Sequence, residues 1–169
     1  MIALKIHNSN AFMATLLKGK AFYDFDLIEV DIVTYNSFHI DGFNQKDFFG
    51  DDKNKEHSEE NAPEEFSAWS KIQPICLDLI KGQRSPLSFK IILRLNQKAI
   101  ISFLKQKDFV DFIHELPGLY INVRFENQNL TCMSGTSFKN FTLDKSLEKA
   151  WDNGLMDLLQ ELHIDFDEL

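Results

Sequence analysis

The stretch from Leu87 to Phe141 constrains the fold more than any other part of the chain. It opens with apolar side chains at every second position: Leu87, Phe89, Ile91, Leu93 and Leu95. A period of two is typical of a strand with one buried face. Asn96 can then cap a helical segment whose apolar residues recur at helical spacing as far as Leu116, where Pro117-Gly118 ends it.

A β-hairpin is predicted to follow this helical segment. Residues 119–126 alternate apolar and polar side chains, and the chain can reverse at Asn127-Gln128, because Asn tolerates the positive φ of a two-residue turn. Such a turn would place Phe125 opposite Leu130 on the buried face. The sequence therefore predicts a strand, a helical segment and a hairpin as one unit.

The first half of the chain resembles a looser copy of that unit. Halves 1–82 and 86–163 each carry a strand, a helix, two strands and a helix with a tryptophan, Trp69 or Trp151. We therefore expect one α+β domain over residues 1–169, a tandem β-α-β-β-α pseudo-repeat whose mixed, mostly antiparallel sheet is packed by helices. The alternative is a chance likeness between two amphipathic helices.

Two further segments carry little apolar surface. Residues 50–65 lack large apolar side chains, so we expect a mobile acidic loop there, because too little surface is buried to offset the ordering entropy. The acidic tail from His163 to Leu169 is expected to fray.

Charge and cysteine content restrict the class of protein. The formal net charge of −8 argues against non-specific binding to nucleic acid or to an anionic membrane, although a local basic face remains possible. Cys76 and Cys132 lie far apart among apolar residues, which favours two reduced, buried thiols; the alternative is a disulfide between them. We find no run of membrane-spanning length and no secretory apolar segment, so we expect a cytoplasmic protein that does not bind membranes.

The sharpest candidate site is acidic. Pairing the strands around residue 36 sets Asp31 opposite His39 and Glu29 opposite Asp41. Three carboxylates and an imidazole could hold a divalent cation such as Mn²⁺ or Zn²⁺. The alternative, which we favour because the spacing matches no metal motif, is a solvated sheet face and no cofactor.

A second candidate site is basic. If their strands are neighbours, Lys90, Arg94 and Arg124 form a compact patch beside Tyr120 that could hold a phosphate, a nucleic-acid backbone or another anionic partner. The alternative is a set of ordinary surface cations that balance nearby carboxylates.

No catalytic constellation is supported by the sequence. Residues 133–137 contain one glycine and no suitably placed lysine, so they do not form a phosphate-binding loop. Cys132 or Ser134 as a nucleophile would need a base, and nothing in the sequence places His114 or His163 near either.

Three long segments resemble an uncharacterised family of small bacterial proteins, a domain of unknown function. They are YNSFHIDGF (35–43), WSKIQPICLDLIKGQRSPLSFKIIL (69–93) and NVRFENQNLTCMSGTSFKNFTLDKSLEKAWD (122–152). The resemblance implies a stand-alone cytoplasmic protein and no particular chemistry. A distant fold-level likeness links the duplicated units to sliding clamps and TATA-binding proteins, and likeness of fold does not establish function.

Three functions are compatible with these observations. We expect a non-catalytic binding protein with a protein or nucleic-acid partner. The alternatives are a metal-dependent enzyme that uses the acidic cluster and a sensor that binds a small molecule within the Phe-rich interior.

Overall fold

The computed structural model describes residues 1–49 and 64–169. Their seven strands are β1 (Ala3–Ile6), β2 (Phe25–Val33), β3 (Ser37–Asp41), β4 (Ser88–Leu95), β5 (Gly118–Glu126), β6 (Asn129–Ser137) and β7 (Phe166–Glu168). The α-helices are α1 (Ser9–Lys18), α2 (Trp69–Ile80), α3 (Gln97–Gln106) and α4 (Ser146–Glu161), and short 3₁₀ turns cover Lys46–Phe49 and Val110–Ile113. The predicted acidic loop falls outside the described residues except for Glu64 and Glu65.

All seven strands belong to one sheet, in the order β3-β2-β4-β5-β6-β1-β7. The predicted α+β class is confirmed, but the sheet is not mixed: every pairing of these strands is antiparallel. The alternating sequence patterns do not predict that every pairing is antiparallel, because they show which face of the sheet each side chain occupies and not the direction in which a strand runs.

The order strand, helix, strand, strand, helix occurs twice along the chain. The pairing differs between the halves, however. In the second half β4 pairs with β5, whereas in the first half β1 pairs with β6 and β7 and not with β2. The structure therefore does not confirm the predicted pseudo-repeat.

The helices pack against one face of the sheet and close a single core. Along β4 the inward side chains Phe89, Ile91, Leu93 and Leu95 are buried, as the alternation predicts. They meet helical side chains that include Leu104, Trp151 and Leu159. Each fully buried side chain of this size stabilises the fold by about 1.5–3 kcal/mol, so burying them strongly favours the arrangement in which this face of the sheet meets the helices.

Both predicted hairpin registers are confirmed. Phe125 lies opposite Leu130, and the turn residues Asn127 and Gln128 have φ values of 51° and 64°. Asp31 lies opposite His39 in the other hairpin. The register follows from the pattern because a slip of one residue would turn the apolar side chains to the opposite face.

Helix ends agree with the sequence where a side chain defines them. Asn8 and Asn96 accept hydrogen bonds from the backbone N–H groups of Ala11 and Ala99, at 3.0 and 2.9 Å, and so cap α1 and α3. Gln73 supports the other end of α1, because its buried side-chain amide donates to backbone carbonyls at that end.

Two local predictions are wrong. The helical segment after Asn96 ends at Gln106, because Asp108 adopts a φ of 63° and only a 3₁₀ turn follows. The tail does not fray: Phe166–Glu168 forms β7, whose backbone pairs with β1.

Within the described ranges, 1–49 and 64–169, no helix has both the length and the apolar character needed to span a bilayer.

Candidate functional site on the open face of the sheet

The sheet face opposite the helices carries both predicted sites. We call it the open face, and its central side chains are Glu29, Asp31, His39, Asp41, Lys90, Ile92, Arg94, Tyr120, Asn122, Arg124, Thr131 and Met133. None of them belongs to the hydrophobic core. They share a face because residues two apart along a strand point the same way and cross-strand partners align.

The register joins the two sites in a single row. His39 lies opposite Asp31, Asp31 opposite Lys90, and Lys90 opposite Arg124. The sequence predicted an acidic cluster and a basic patch as separate features. The pairing of β2 with β4 makes them neighbours on one surface.

Lys90 links the acidic residues. Its Nζ lies 2.5 Å from Glu29 Oε1 and 3.1 Å from Asp31 Oδ2, and Asp31 Oδ1 lies 2.6 Å from His39 Nδ1. These side chains are between about a third and three-fifths exposed, so solvent screens each ion pair and its contribution to stability is small. The network sets side-chain positions more than it stabilises the fold.

The same contacts shift three pKa values. The hydrogen bonds from His39 and then Lys90 lower the pKa of the Asp31 carboxyl. The hydrogen bond to Asp31 raises the pKa of His39, and the hydrogen bonds to Glu29 and Asp31 raise the pKa of Lys90. Each shift favours the charged form of its group.

The four predicted metal ligands do not converge. Among the residues that the structure describes, no group of three or more His, Cys, Asp or Glu side chains is arranged to hold a metal ion. Glu29 and Asp31 contact the Lys90 ammonium, and Asp41 Oδ1 accepts a hydrogen bond from the backbone N–H of Phe43 at 2.9 Å. The metal hypothesis stays a prediction without a formed ligand set.

The predicted basic residues do share the open face, but each has an acidic neighbour. Besides Lys90, Arg124 Nη2 lies 2.7 Å from Glu126 Oε2, and Arg94 Nη1 lies 3.8 Å from Glu65 Oε2. Within the described residues, these contacts leave little uncompensated positive charge for a phosphate backbone. Tyr120 completes the predicted set, with its hydroxyl 3.2 Å from Ser137 Oγ.

The centre of the open face is a feature that the sequence analysis missed. Asn122 lies between Ile92 on β4 and Met133 on β6, so two half-buried apolar side chains flank one amide. Ile92 and Met133 occupy strand positions that point away from the core. Apolar residues at outward positions were the signal that could have revealed this strip.

Two buried polar atoms on the open face have no hydrogen-bond partner among the described residues: Asn122 Oδ1 and Arg94 Nε. One is an acceptor and the other a donor. They belong to diagonal neighbours on β5 and β4, since Arg94 lies opposite Tyr120. Buried polar groups are nearly always paired in native proteins, so a partner or an ordered water is expected at both atoms.

Asp26 lies beside Arg94 at one end of the open face. Partial burial raises the pKa of its carboxyl to about 6; the Glu64 charge adds to the rise, and the Arg94 charge opposes it. Asp26 is therefore a group that can take up a proton close to neutral pH.

The nucleophile candidates are buried and lack a base. Burial raises the pKa of Cys76 and of Cys132 to about 12, which keeps both thiols protonated. Ser134 Oγ donates to the Asp152 carboxylate and accepts from the backbone N–H of Ile2. Among the described contacts of Ser134 there is no histidine to activate the hydroxyl.

Comparison with known proteins gives a family and no activity. Residues 15–167 match the model of one protein family, whose function is unknown. No curated protein and no solved structure matches the chain significantly. The likeness to sliding clamps and TATA-binding proteins therefore stays a prediction.

Proposed function

The chain belongs to DUF5721, a family of unknown function, and we propose that it is a non-catalytic protein-binding module whose binding surface is the open face. The apolar strip of Ile92 and Met133 carries this proposal. It lies at the middle of a sheet face that the helices leave uncovered, and charged pairs surround it.

This arrangement has the anatomy of a protein–protein interface. Such interfaces have an apolar centre, a polar rim and an enrichment in Tyr, Met and Arg. The open face offers Ile92 and Met133 at its centre, with Tyr120 and Arg124 beside them.

The size of the face suits a modest interface. Seven strands span six spacings of about 4.8 Å, or about 29 Å, and five residues of strand cover about 17 Å. The resulting flat area of about 500 Å² per partner corresponds to about 1,000 Å² in total, the lower end of specific interfaces. We therefore expect a micromolar, reversible complex rather than an obligate one.

Charge favours a protein over a nucleic acid as the partner. Lys90, Arg94 and Arg124 each contact a carboxylate, and the whole chain carries a net charge of −8. A nucleic acid would have to displace these carboxylates and overcome the net repulsion. A protein with its own mixed charges can pair with both members of each ion pair.

We also propose a cytoplasmic location and no resident metal. Two free, buried thiols suit a reducing compartment. Glu29 and Asp31 then serve to hold Lys90 in place rather than to bind a cation.

The test is capture from native lysate with matched variants. Met133→Glu places a charge at the centre of the open face, and Ile75→Glu places one on the exposed side of α2, at a side chain that is 49% exposed. We expect a protein that nuclease treatment does not remove, retained by the parent and by Ile75→Glu and lost with Met133→Glu. Circular dichroism must show that both variants are folded.

Two results would count against the proposal. Capture that nuclease abolishes would make the partner a nucleic acid. Equal capture of the protein by both variants would mean that the binding surface is not the open face.

A further inference from the structure

A groove lies between α3 and α4, on the opposite side of the sheet from the open face. Its volume is about 520 Å³, within the range of about 300–1,000 Å³ that is usual for small-molecule sites. Phe25, Phe103 and Trp151 line its apolar part, and Asp24, Lys98 and Ser102 line its polar part. The groove does not depend on the proposed protein interface.

The aromatic lining is held in place. The rings of Phe103 and Trp151 meet edge to face at 5.4 Å between centroids, and Phe25 packs against Trp151 at 6.5 Å. Trp151 Nε1 also donates to the backbone carbonyl of Tyr120 at 2.9 Å. Phe25 and Trp151 are themselves buried, so they support the ring of Phe103, which is partly exposed. A side chain held in this way loses little entropy when a flat ligand binds, so the Phe103 ring is a favourable contact for an aromatic ligand.

Gly154 lets α3 and α4 pack closely beside the groove, and it is part of the groove lining. A Cβ at this position would lie 3.0 Å from Phe103 Cε2, tighter than ordinary contact. A larger residue here would therefore push against the Phe103 ring.

The polar part of the groove offers one negative and one positive charge. Asp24 and Lys98 are exposed, and neither carboxylate nor ammonium has an ion-pair partner among the residues described. Lys98 also lies in the first turn of α3, where the helix dipole favours an anion. Opposite charges that line one groove without pairing to each other complement a ligand that carries both.

We propose that the groove between α3 and α4 binds a small zwitterion with an aromatic ring, the chemical class of the aromatic amino acids. The ring lies against Phe103, the partly exposed aromatic side chain of the lining, the ligand ammonium faces Asp24, and the ligand carboxylate faces Lys98. This gives the small-molecule hypothesis a specific place at the edge of the Phe-rich core.

Three probes separate the charge contacts. L-phenylalanine carries both charges, phenethylamine only the ammonium and 3-phenylpropionate only the carboxylate. Their binding can be followed by isothermal titration calorimetry. We expect L-phenylalanine to bind about tenfold more tightly than either analogue, since one charged contact contributes about that factor.

Variants assign each contact. In Lys98→Gln, the affinity for L-phenylalanine should fall to that for phenethylamine, while the affinity for phenethylamine itself is unchanged. In Asp24→Asn, the affinity for L-phenylalanine should fall to that for 3-phenylpropionate. Lys149→Gln removes an exposed lysine of α4 that does not line the groove and should change nothing.

The proposal fails if the three probes bind equally, if none binds, or if Lys98→Gln and Lys149→Gln have the same effect. Gly154→Ala gives a further check, because it narrows the groove without changing a charge and should weaken all three probes together.

Discussion

Replacing Asp26 with asparagine should stabilise the protein at neutral pH. The Asp26 carboxyl is half-buried beside Arg94, and burial with the nearby Glu64 charge raises its pKa from 3.8 to about 6. A carboxyl whose pKa is higher in the folded state destabilises that state whenever it is ionised. The destabilisation is complete above pH 6 and disappears as the pH falls below 3.8.

The magnitude follows from the size of this rise. At about 1.36 kcal/mol per pKa unit, a rise from 3.8 to about 6 corresponds to at most about 3 kcal/mol. Because the side chain is only half-buried, solvent screening reduces the expected effect to about 1–2 kcal/mol. Asp26→Asn should therefore raise the free energy of unfolding by that amount at about pH 7.5 and by almost nothing near pH 4.

Urea unfolding of the parent and of Asp26→Asn at several pH values measures this difference. Asp111→Asn makes the same chemical change at an exposed position and controls for the loss of a charge. A stability difference between the parent and Asp26→Asn that does not change with pH would refute the reasoning. So would a destabilised Asp26→Asn at pH 7.5, because Asp26 would then act mainly as a partner of Arg94.

Three further predictions concern the sheet. Gly42→Ala should destabilise the protein by about 3 kcal/mol or more in urea unfolding, since a Cβ there would overlap a backbone carbonyl oxygen. Gly82→Ala is the control and should cost less than about 1 kcal/mol, because the nearest atom to a Cβ at Gly82 is 4.0 Å away; equal losses of stability in the two variants would contradict the prediction. By NMR, the pKa of His39 should lie above its ordinary value of 6.5, because the Asp31 carboxylate stabilises the imidazolium. In Asp31→Asn the pKa of His39 should fall back toward that value, and an unchanged titration midpoint of His39 would exclude the contact in solution. Gln128→Gly should stabilise the β5–β6 hairpin by about 0.5–1 kcal/mol in thermal unfolding, since glycine adopts a φ of 64° with less strain than glutamine. A lower melting temperature would contradict the turn geometry.

Local features of this fold could be predicted from the sequence because local chemistry determines them. The alternation along 119–126 and the turn at Asn127-Gln128 fix one register, and any slip would bury polar side chains. Asn8 and Asn96 define helix starts because their side chains can reach an N–H group of the first turn.

The strand order could not be predicted, because it depends on contacts between distant parts of the chain. β1 pairs with β6 across more than a hundred residues, and β7 is a three-residue edge strand held by backbone bonds to β1. An acidic segment this short carries no alternation that would distinguish a strand from a frayed tail.

The same limit explains why the candidate site was divided in two. Glu29 and Asp31 were predicted to share one surface and Lys90 to lie on another, since nothing in the sequence places β2 beside β4. Once that pairing forms, the Lys90 ammonium lies between the two carboxylates and pairs with both. The central strip of Ile92 and Met133 becomes recognisable only when the helices are seen to cover the opposite face.

Photo-crosslinking from the middle of the open face tests the central claim most directly. A photoreactive phenylalanine derivative at position 133 should give a discrete covalent adduct with a protein in native lysate, and the same group at position 75 on α2 should not. Adduct formation that resists nuclease and is confined to position 133 is the predicted result. Adducts with nucleic acid, identical adducts from both positions, or none from position 133 would contradict the assignment of the open face as a protein-binding surface.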